Sequence, residues 1–191
     1  MPSTINASNG ASSGLISTGD ASGVLALQTN NGTTALTLGT DQSATFANKV
    51  TITGTTSALG LVVTNIAEVA TVSATSATGT ITYDVTTQSV LYYTVNAAAN
   101  WTMNFRASSG TSLNTAMSTG QAITVAFLAT NGPTAYYNNA VQVDGSSVTP
   151  KYQGGTAWSA GNASSIDAYT YTIIKTGNAA FTILASQTKF A

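Results

Sequence analysis

The chain has 191 residues, only 6% of them charged, and five basic against six acidic side chains leave a formal net charge of −1. Soluble proteins ordinarily carry about 25% charged residues, and this chain lacks both the basic surface that binds nucleic acid and an acidic tail. Cysteine and histidine are absent, which excludes disulfides, thiolate metal sites and the commonest general base.

Residues 1–66 are rich in Ser, Thr, Ala, Asn and Gly, and they form a predicted attachment or stalk segment. Short apolar runs separated by turn signals, the last of them Val50–Thr53, predict strands too short to close a core alone. We expect their apolar face to be buried against copies of the chain or against a host surface; disorder is the alternative that low complexity favours. The residues that alternate as one apolar face are Leu25, Leu27, Leu36 and Leu38.

The same low charge bears on where the protein is found. Little self-repulsion keeps copies of such a surface apart, so it suits a protein that functions inside an assembly. No apolar run approaches the roughly 18 residues that span a bilayer, and Met1–Asn6 lacks the features of a secretory signal. We therefore expect a product made in the cytoplasm that self-assembles and does not enter a membrane.

A C-terminal domain is predicted for residues 67–191, after apolar density rises across Leu59–Ile66. Ala74–Gly79 is interpreted as a loop. From there the strands lengthen and aromatic residues appear. Trp101–Arg106, in which large apolar and polar side chains alternate, is the clearest half-buried strand of the chain.

One short helix is predicted within this domain. Ser112–Gly120 fits one or two helical turns, with Ser112 as N-cap and Gly120 as the stop. The following run, Ala122–Leu128, is apolar on both sides and indicates a central strand.

The chain closes with a predicted hairpin. Ser165–Lys175 shows a period of two, a turn at Gly177 follows, and Phe181–Leu184 runs back. Tyr169 and Tyr171 are expected in the core. Many short strands with frequent turns predict an all-β fold, with a C-terminal antiparallel β-sandwich of jelly-roll type.

Two loops combine aromatic rings with amide and hydroxyl groups. Sugar rings stack on aromatic faces while amides bond their hydroxyls, so these loops are candidate contacts for host-surface glycans. The alternative is that the rings plug the end of the sandwich or a seam between subunits, and it is favoured for both loops. The candidate residues are Tyr136, Tyr137, Tyr152 and Trp158.

The six acidic residues are scattered, and no pair is spaced for catalysis or as a calcium loop. Asp144 begins an Asp-Gly turn, and Asp167 is placed where it can accept backbone N–H bonds. Arg106 is expected to pair with Asp84 or Glu68. No catalytic residue, metal site or cofactor is predicted, and glycan cleavage stays the least favoured hypothesis.

Several stretches resemble structural proteins of tailed, especially marine, bacteriophages, and the N-terminal ones are similar to the start of phage fibre-like proteins. The resemblance covers most of the chain without a catalytic motif. Its stretches are Ser13–Gly23, Leu27–Asn30, Trp101–Arg106, Ser118–Val125, Val141–Gly155, Ala160–Asp167, Tyr169–Thr176 and Phe181–Phe190.

The resemblance implies a virion protein, attached through its N-terminus and exposed on the particle, and such proteins are often homotrimers. The first hypothesis is a non-enzymatic short fibre or spike that contributes to host adhesion. The alternative is a capsid decoration, either a cement or a head-fibre protein. In both cases the expected partners are copies of the chain and other proteins of the capsid or tail.

Overall fold

The structure is a computed structural model that describes residues 24–29, 33–47, 50 and 66–190. The chain divides into two compact units, Met1–Thr64 and Asn65–Ala191, and the boundary predicted from sequence lies between residues 66 and 67. The predicted strand Val50–Thr53 and the apolar run Leu59–Ile66 lie almost entirely outside the described residues.

The N-terminal unit contains a three-stranded antiparallel sheet in the order β1-β2-β3. Its strands are β1 Leu25–Thr29, β2 Thr33–Leu38 and β3 Ala44–Phe46. Leu25 lies opposite Leu38, and Leu27 opposite Leu36. Phe46 lies opposite Leu36 from the other side. Because residues directly opposite share a sheet face, the register gathers all four predicted leucines and Phe46 on one face.

Strands dominate the C-terminal unit, and the predicted all-β class is confirmed. Its elements are β4 Ala70–Ser76, β5 Gly79–Asp84, β6 Val90–Val95, β7 Trp101–Arg106, α1 Leu113–Ala116, β8 Ala122–Thr130, β9 Asn138–Val143, β10 Ser146–Ser147, β11 Lys151–Tyr152, β12 Ile166–Gly177 and β13 Ala180–Phe190.

These strands form two sheets, ordered β10-β9-β7-β5 and β11-β13-β12-β8-β6-β4. From β4 to β9 each strand lies in the opposite sheet from its predecessor. Because the chain crosses over and returns before it pairs, β4–β6, β6–β8, β5–β7 and β7–β9 are parallel. Jelly rolls are antiparallel, so the prediction of a wholly antiparallel, jelly-roll-like unit is wrong for these strands.

The two sheets share one hydrophobic core, built from the inward faces of β7, β8 and β12. The Trp101 ring of β7 meets Phe127 of β8 and Tyr169 of β12, at centroid distances of 5.7 and 5.5 Å. Phe105 meets Tyr171 at 4.9 Å. The alternation in β7 leaves its apolar side chains buried and its polar ones half-buried, which confirms that prediction.

The C-terminal hairpin is also confirmed, since β12 and β13 pair antiparallel over almost their full length. Tyr169 and Tyr171 are fully buried. The helix is shorter than predicted, although the Ser112 hydroxyl does accept a hydrogen bond from the Thr115 amide at 3.0 Å. The loop predicted over Ala74–Gly79 is wrong at both ends, because β4 continues to Ser76 and β5 begins at Gly79.

Candidate functional site

The apolar face of the N-terminal sheet is open to solvent on its own unit. Leu25, Leu27, Leu38 and Phe46 are between 38% and 52% exposed, and Leu36 is half-buried. Three strands of three to six residues offer too little area to close a core. The predicted attachment residues are thus brought together as one surface, and their attachment role stays a prediction.

The second set of candidate residues is only partly brought together. Tyr152 and Trp158 meet edge to face, at a centroid distance of 4.8 Å and an interplanar angle of 84°. Trp158 also contacts Tyr169 at 5.3 Å, and its Nε1 donates to the backbone oxygen of Asn138. Half of the Trp158 environment is therefore core, and the ring anchors its loop to the sheets.

Two clefts flank this aromatic pair. One, of about 420 Å³, runs beside Trp158, and the other, of about 390 Å³, beside Tyr152. The residues common to both are Gln153, Ala185 and Ser186. The β13 residues were missed from sequence because only the parallel register of β11 with β13 brings Tyr152 opposite Ala185. A polar stretch at the end of a strand was the available signal.

Tyr136 and Tyr137 lie apart from that pair in function. Both are half-buried and pack against the core. The Tyr136 carbonyl accepts from Asn131 Nδ2 at 3.1 Å, and the Tyr137 carbonyl accepts from the Trp101 amide at 3.3 Å. Their backbone closes the end of the core, and this matches the structural alternative for these two residues.

The buried phenols are not suited to acid–base chemistry near neutral pH. Burial raises the pKa of Tyr152 and Tyr169, and it raises the pKa of Tyr171 well above its ordinary range. They remain neutral hydrogen-bonding groups: the Tyr171 hydroxyl donates to Asn138 Oδ1 at 2.9 Å.

The carboxylates of the C-terminal unit are engaged in local structure. Asp84 forms an ion pair with Arg106, with Nε and Oδ1 2.5 Å apart, which confirms one of the two predicted partners. Asp144 occupies the predicted turn with φ of 51°. Its two oxygens accept from the amides of Leu113 and Asn114, at 2.6 and 2.9 Å, and so hold the start of α1.

Lys175 holds the other end of α1. Its side chain is 7% exposed, and Nζ donates to the carbonyls of Asn114 and Met117. The last carbonyls of a helix have no partner within it, so the ammonium supplies what the backbone lacks. No pattern in the sequence signals this contact, which joins residues about 60 positions apart.

Replacing Lys175 with methionine should therefore destabilise the C-terminal unit. Two buried carbonyls lose their donor, and we expect a loss of about 1–3 kcal/mol in the free energy of unfolding, measured by urea titration. The exposed Lys151 provides the matched control, because Lys151→Met removes the same charge without a buried partner. Equal stability of the two variants would contradict this role for Lys175.

Asp167 is the most buried carboxylate of the described residues, with no exposed surface. Its Oδ2 accepts from the Asn162 amide at 2.8 Å and from Asn131 Nδ2 at 3.1 Å, while Oδ1 has no hydrogen-bond partner. The predicted backbone bond is confirmed. Burial raises the pKa of Asp167, and the bond from Asn162 and the charge of Lys189 only partly oppose the shift.

This shift sets a pH dependence. Above the ordinary carboxyl pKa of 3.8, the unfolded chain has released the proton that folded Asp167 still holds, so stability falls as pH rises through the folded-state pKa. Asp167→Asn should remove this component, and urea midpoints measured from pH 4 upward should fall less steeply than in the wild type. Parallel pH profiles for the two proteins would show that Asp167 does not titrate in this way.

Comparison with known proteins gives no further guide, since no protein-family model, curated protein or solved structure matches the chain. Within residues 24–29, 33–47, 50 and 66–190, no three His, Cys, Asp or Glu side chains are grouped as metal ligands. In the same part of the chain, no helix has the length and apolar character needed to cross a membrane.

Proposed function

We propose that the chain is a non-enzymatic structural protein of a bacteriophage virion, an exposed short trimeric fibre or spike that attaches through residues 1–66. The observation that carries this proposal is the apolar face of the N-terminal sheet. Its four leucines and Phe46 lie on one face, and most of that face is exposed on a single copy. Burial against further copies stabilises such a face at about 25 cal/mol per Å².

The low charge of the chain supports the same proposal. With eleven charged residues among 191, few like charges oppose the approach of identical surfaces. The resemblance to phage structural proteins supplies the setting, a virion, and the expected homotrimer. The C-terminal unit is proposed to be a β-sandwich displayed beyond the attachment segment, and its two sheets with a shared aromatic core suit a rigid display domain.

A structural role also agrees with how the acidic residues are used. Every carboxylate in the described part of the chain accepts hydrogen bonds from neighbouring groups. Asp84, Asp144 and Asp167 respectively neutralise an arginine, cap a helix and close a buried polar cluster. A pair of carboxylates facing each other across a cleft, as a glycosidase needs, is not assembled by these three residues.

The same N-terminal face equally suits a capsid decoration, because a shell protein is another surface on which apolar residues are buried. In that alternative the face seats on the capsid, and a recombinant chain need not form a trimer. Host adhesion, in either version, is proposed for the clefts beside Tyr152 and Trp158, where partly exposed rings adjoin the Gln153 amide and the Ser186 hydroxyl.

Light scattering on the full-length chain tests the trimer. Three copies of 19.2 kDa predict a mass of roughly 58 kDa, and Leu27→Gln should reduce the trimer fraction because it places an amide in the buried face. Thr37→Gln, on the opposite face of the same sheet, is the control and should leave the mass unchanged. A wild-type chain that stays monomeric at micromolar concentration would contradict the trimer and favour the capsid alternative.

Removal of residues 1–66 tests attachment itself. The C-terminal unit has its own core, so residues 67–191 should remain folded by circular dichroism. We expect this truncated chain to be lost from assembled particles. Incorporation at the level of the full chain would refute the attachment role of the N-terminal segment.

A further inference from the structure

The three most exposed large apolar side chains of the described residues lie within one short stretch. Ile66, Val69 and Val72 are 68%, 63% and 65% exposed, against 54% or less for every other described side chain of this kind. We call these three residues the β4 strip. Single exposed apolar residues are ordinary on protein surfaces, whereas a contiguous exposed cluster marks an interaction surface.

The strip lies on an open sheet edge. β4 is the last strand of the six-stranded sheet and pairs with β6 only. Proteins protect such edges by keeping them short or by placing lysine or proline there. β10 and β11, which end the sheets on their other side, have two residues each. β4 has seven, and the sequence between Glu68 and Asp84 contains no charged residue and no proline.

β4 gains little from the core of its own unit. None of its seven side chains is buried, and Val72 stays exposed although it lies opposite Tyr92 of β6. Its attachment consists of the parallel ladder to β6 and two side-chain bonds, from Thr71 to Gln88 Oε1 and from Thr94 to the Ser73 carbonyl. A strand with two uncovered faces and one unpaired edge lacks the burial that usually fixes a strand.

We infer that a second copy of this chain covers the β4 strip, by packing against its valines and by bonding to the free backbone groups of β4. The inference rests on the proposed assembly. Copies joined through their N-terminal units hold their strips at high effective concentration, because only residues 51–65 separate Val50 from Ile66. Two uncharged strips also meet without leaving a charge buried and unpaired, which a charged partner would not avoid.

The experiment uses the full-length chain and two matched variants. Val72→Lys places an ammonium in the strip, and Leu184→Lys makes the same kind of change at a side chain that is 47% exposed on β13 of the same sheet. Analytical ultracentrifugation measures assembly, and amide hydrogen exchange measures protection along β4. Val72→Thr, which keeps the β-branched shape, serves as a second variant if the lysine disturbs β4 itself.

In the wild-type assembly, we expect the amides of β4 to exchange slowly. Val72→Lys should speed their exchange and shift dissociation to at least tenfold higher protein concentration, equivalent to about 1.4 kcal/mol. Val72→Thr should have a smaller effect in the same direction, and Leu184→Lys should have none. A wild-type assembly in which β4 exchanges as fast as in Val72→Lys would overturn the inference while the proposed assembly stands. A monomeric wild type would instead overturn the assembly, and the inference would fall with it.

Discussion

Replacing Trp101 with alanine is expected to lower the free energy of unfolding of the C-terminal unit by about 3–5 kcal/mol. The side chain is fully buried and contacts one ring of β8 and one of β12, Phe127 and Tyr169. It therefore joins the two sheets. Its removal takes apolar area out of the core and leaves a cavity that the β7 backbone, paired on both sides, cannot easily fill.

A phenylalanine at the same position should cost much less than alanine. Trp101 Nε1 is buried without a hydrogen-bond partner, and such a group carries a desolvation penalty of about 1–3 kcal/mol. Trp101→Phe keeps most of the ring contacts and removes that penalty. Urea unfolding followed by circular dichroism measures both variants, with the exposed Leu184→Ala as the control. An alanine variant as stable as Leu184→Ala would contradict the assignment of Trp101 to the shared core.

Replacing Gly161 with alanine should be comparably damaging, for a steric reason. A Cβ at this position would lie 2.2 Å from the carbonyl oxygen of Tyr136, and 2.7 Å from both Asn131 Nδ2 and Asp167 Oδ2. The first is backbone and the other two belong to a buried cluster, so none moves aside cheaply. We expect a loss of about 3 kcal/mol, the upper part of the range for overpacked cores.

Gly110→Ala is the matched control for this substitution. No atom lies within 4 Å of a Cβ built at Gly110, and the change should stay within about 0.5 kcal/mol of the wild type. Thermal unfolding compares the two variants, and hydrogen exchange at Asn131 and Asn162 locates the damage. If Gly161→Ala unfolds at the temperature of Gly110→Ala, the close approach around Asp167 is not present in the folded protein.

These two positions differ in how far sequence predicts them. The period of two in Trp101–Arg106 reports which side chains face a core, because successive residues of a strand point to opposite faces. It thereby places Trp101 inside. Gly161 lies in a loop, and nothing local distinguishes it from the chain's other glycines. Its constraint comes from Tyr136 and Asp167, which only the folded chain brings beside it.

The same distinction explains the wrong strand directions. A hairpin such as β12–β13 can be predicted because a short turn forces antiparallel pairing. Between β4 and β9 the partner of each strand is two strands away, and the pattern of side chains does not say which sheet a strand joins. β4 itself escaped prediction because Ser, Thr and Ala provide no hydrophobic alternation, and its exposure on both faces gives the physical reason.

The candidate surfaces follow a similar rule. Alternation within β1 and β2 predicts that Leu25, Leu27, Leu36 and Leu38 share a face, and the register of the two strands adds only Phe46. In contrast, the clefts beside Tyr152 and Trp158 depend on β13, whose polar end has no sequence feature that relates it to the loop. Sequence therefore locates the apolar surface better than the polar one.

Labelling of intact particles most directly tests the central claim, that this chain is an exposed structural component of a virion. Antibodies against residues 66–190 would be applied to purified particles of the phage that encodes the chain and viewed by electron microscopy. We predict labels at defined positions on the particle surface, on the tail for a fibre or spike and over the head for a capsid decoration. Absence of the chain from purified particles, by labelling and by mass spectrometry, would contradict the claim in both forms.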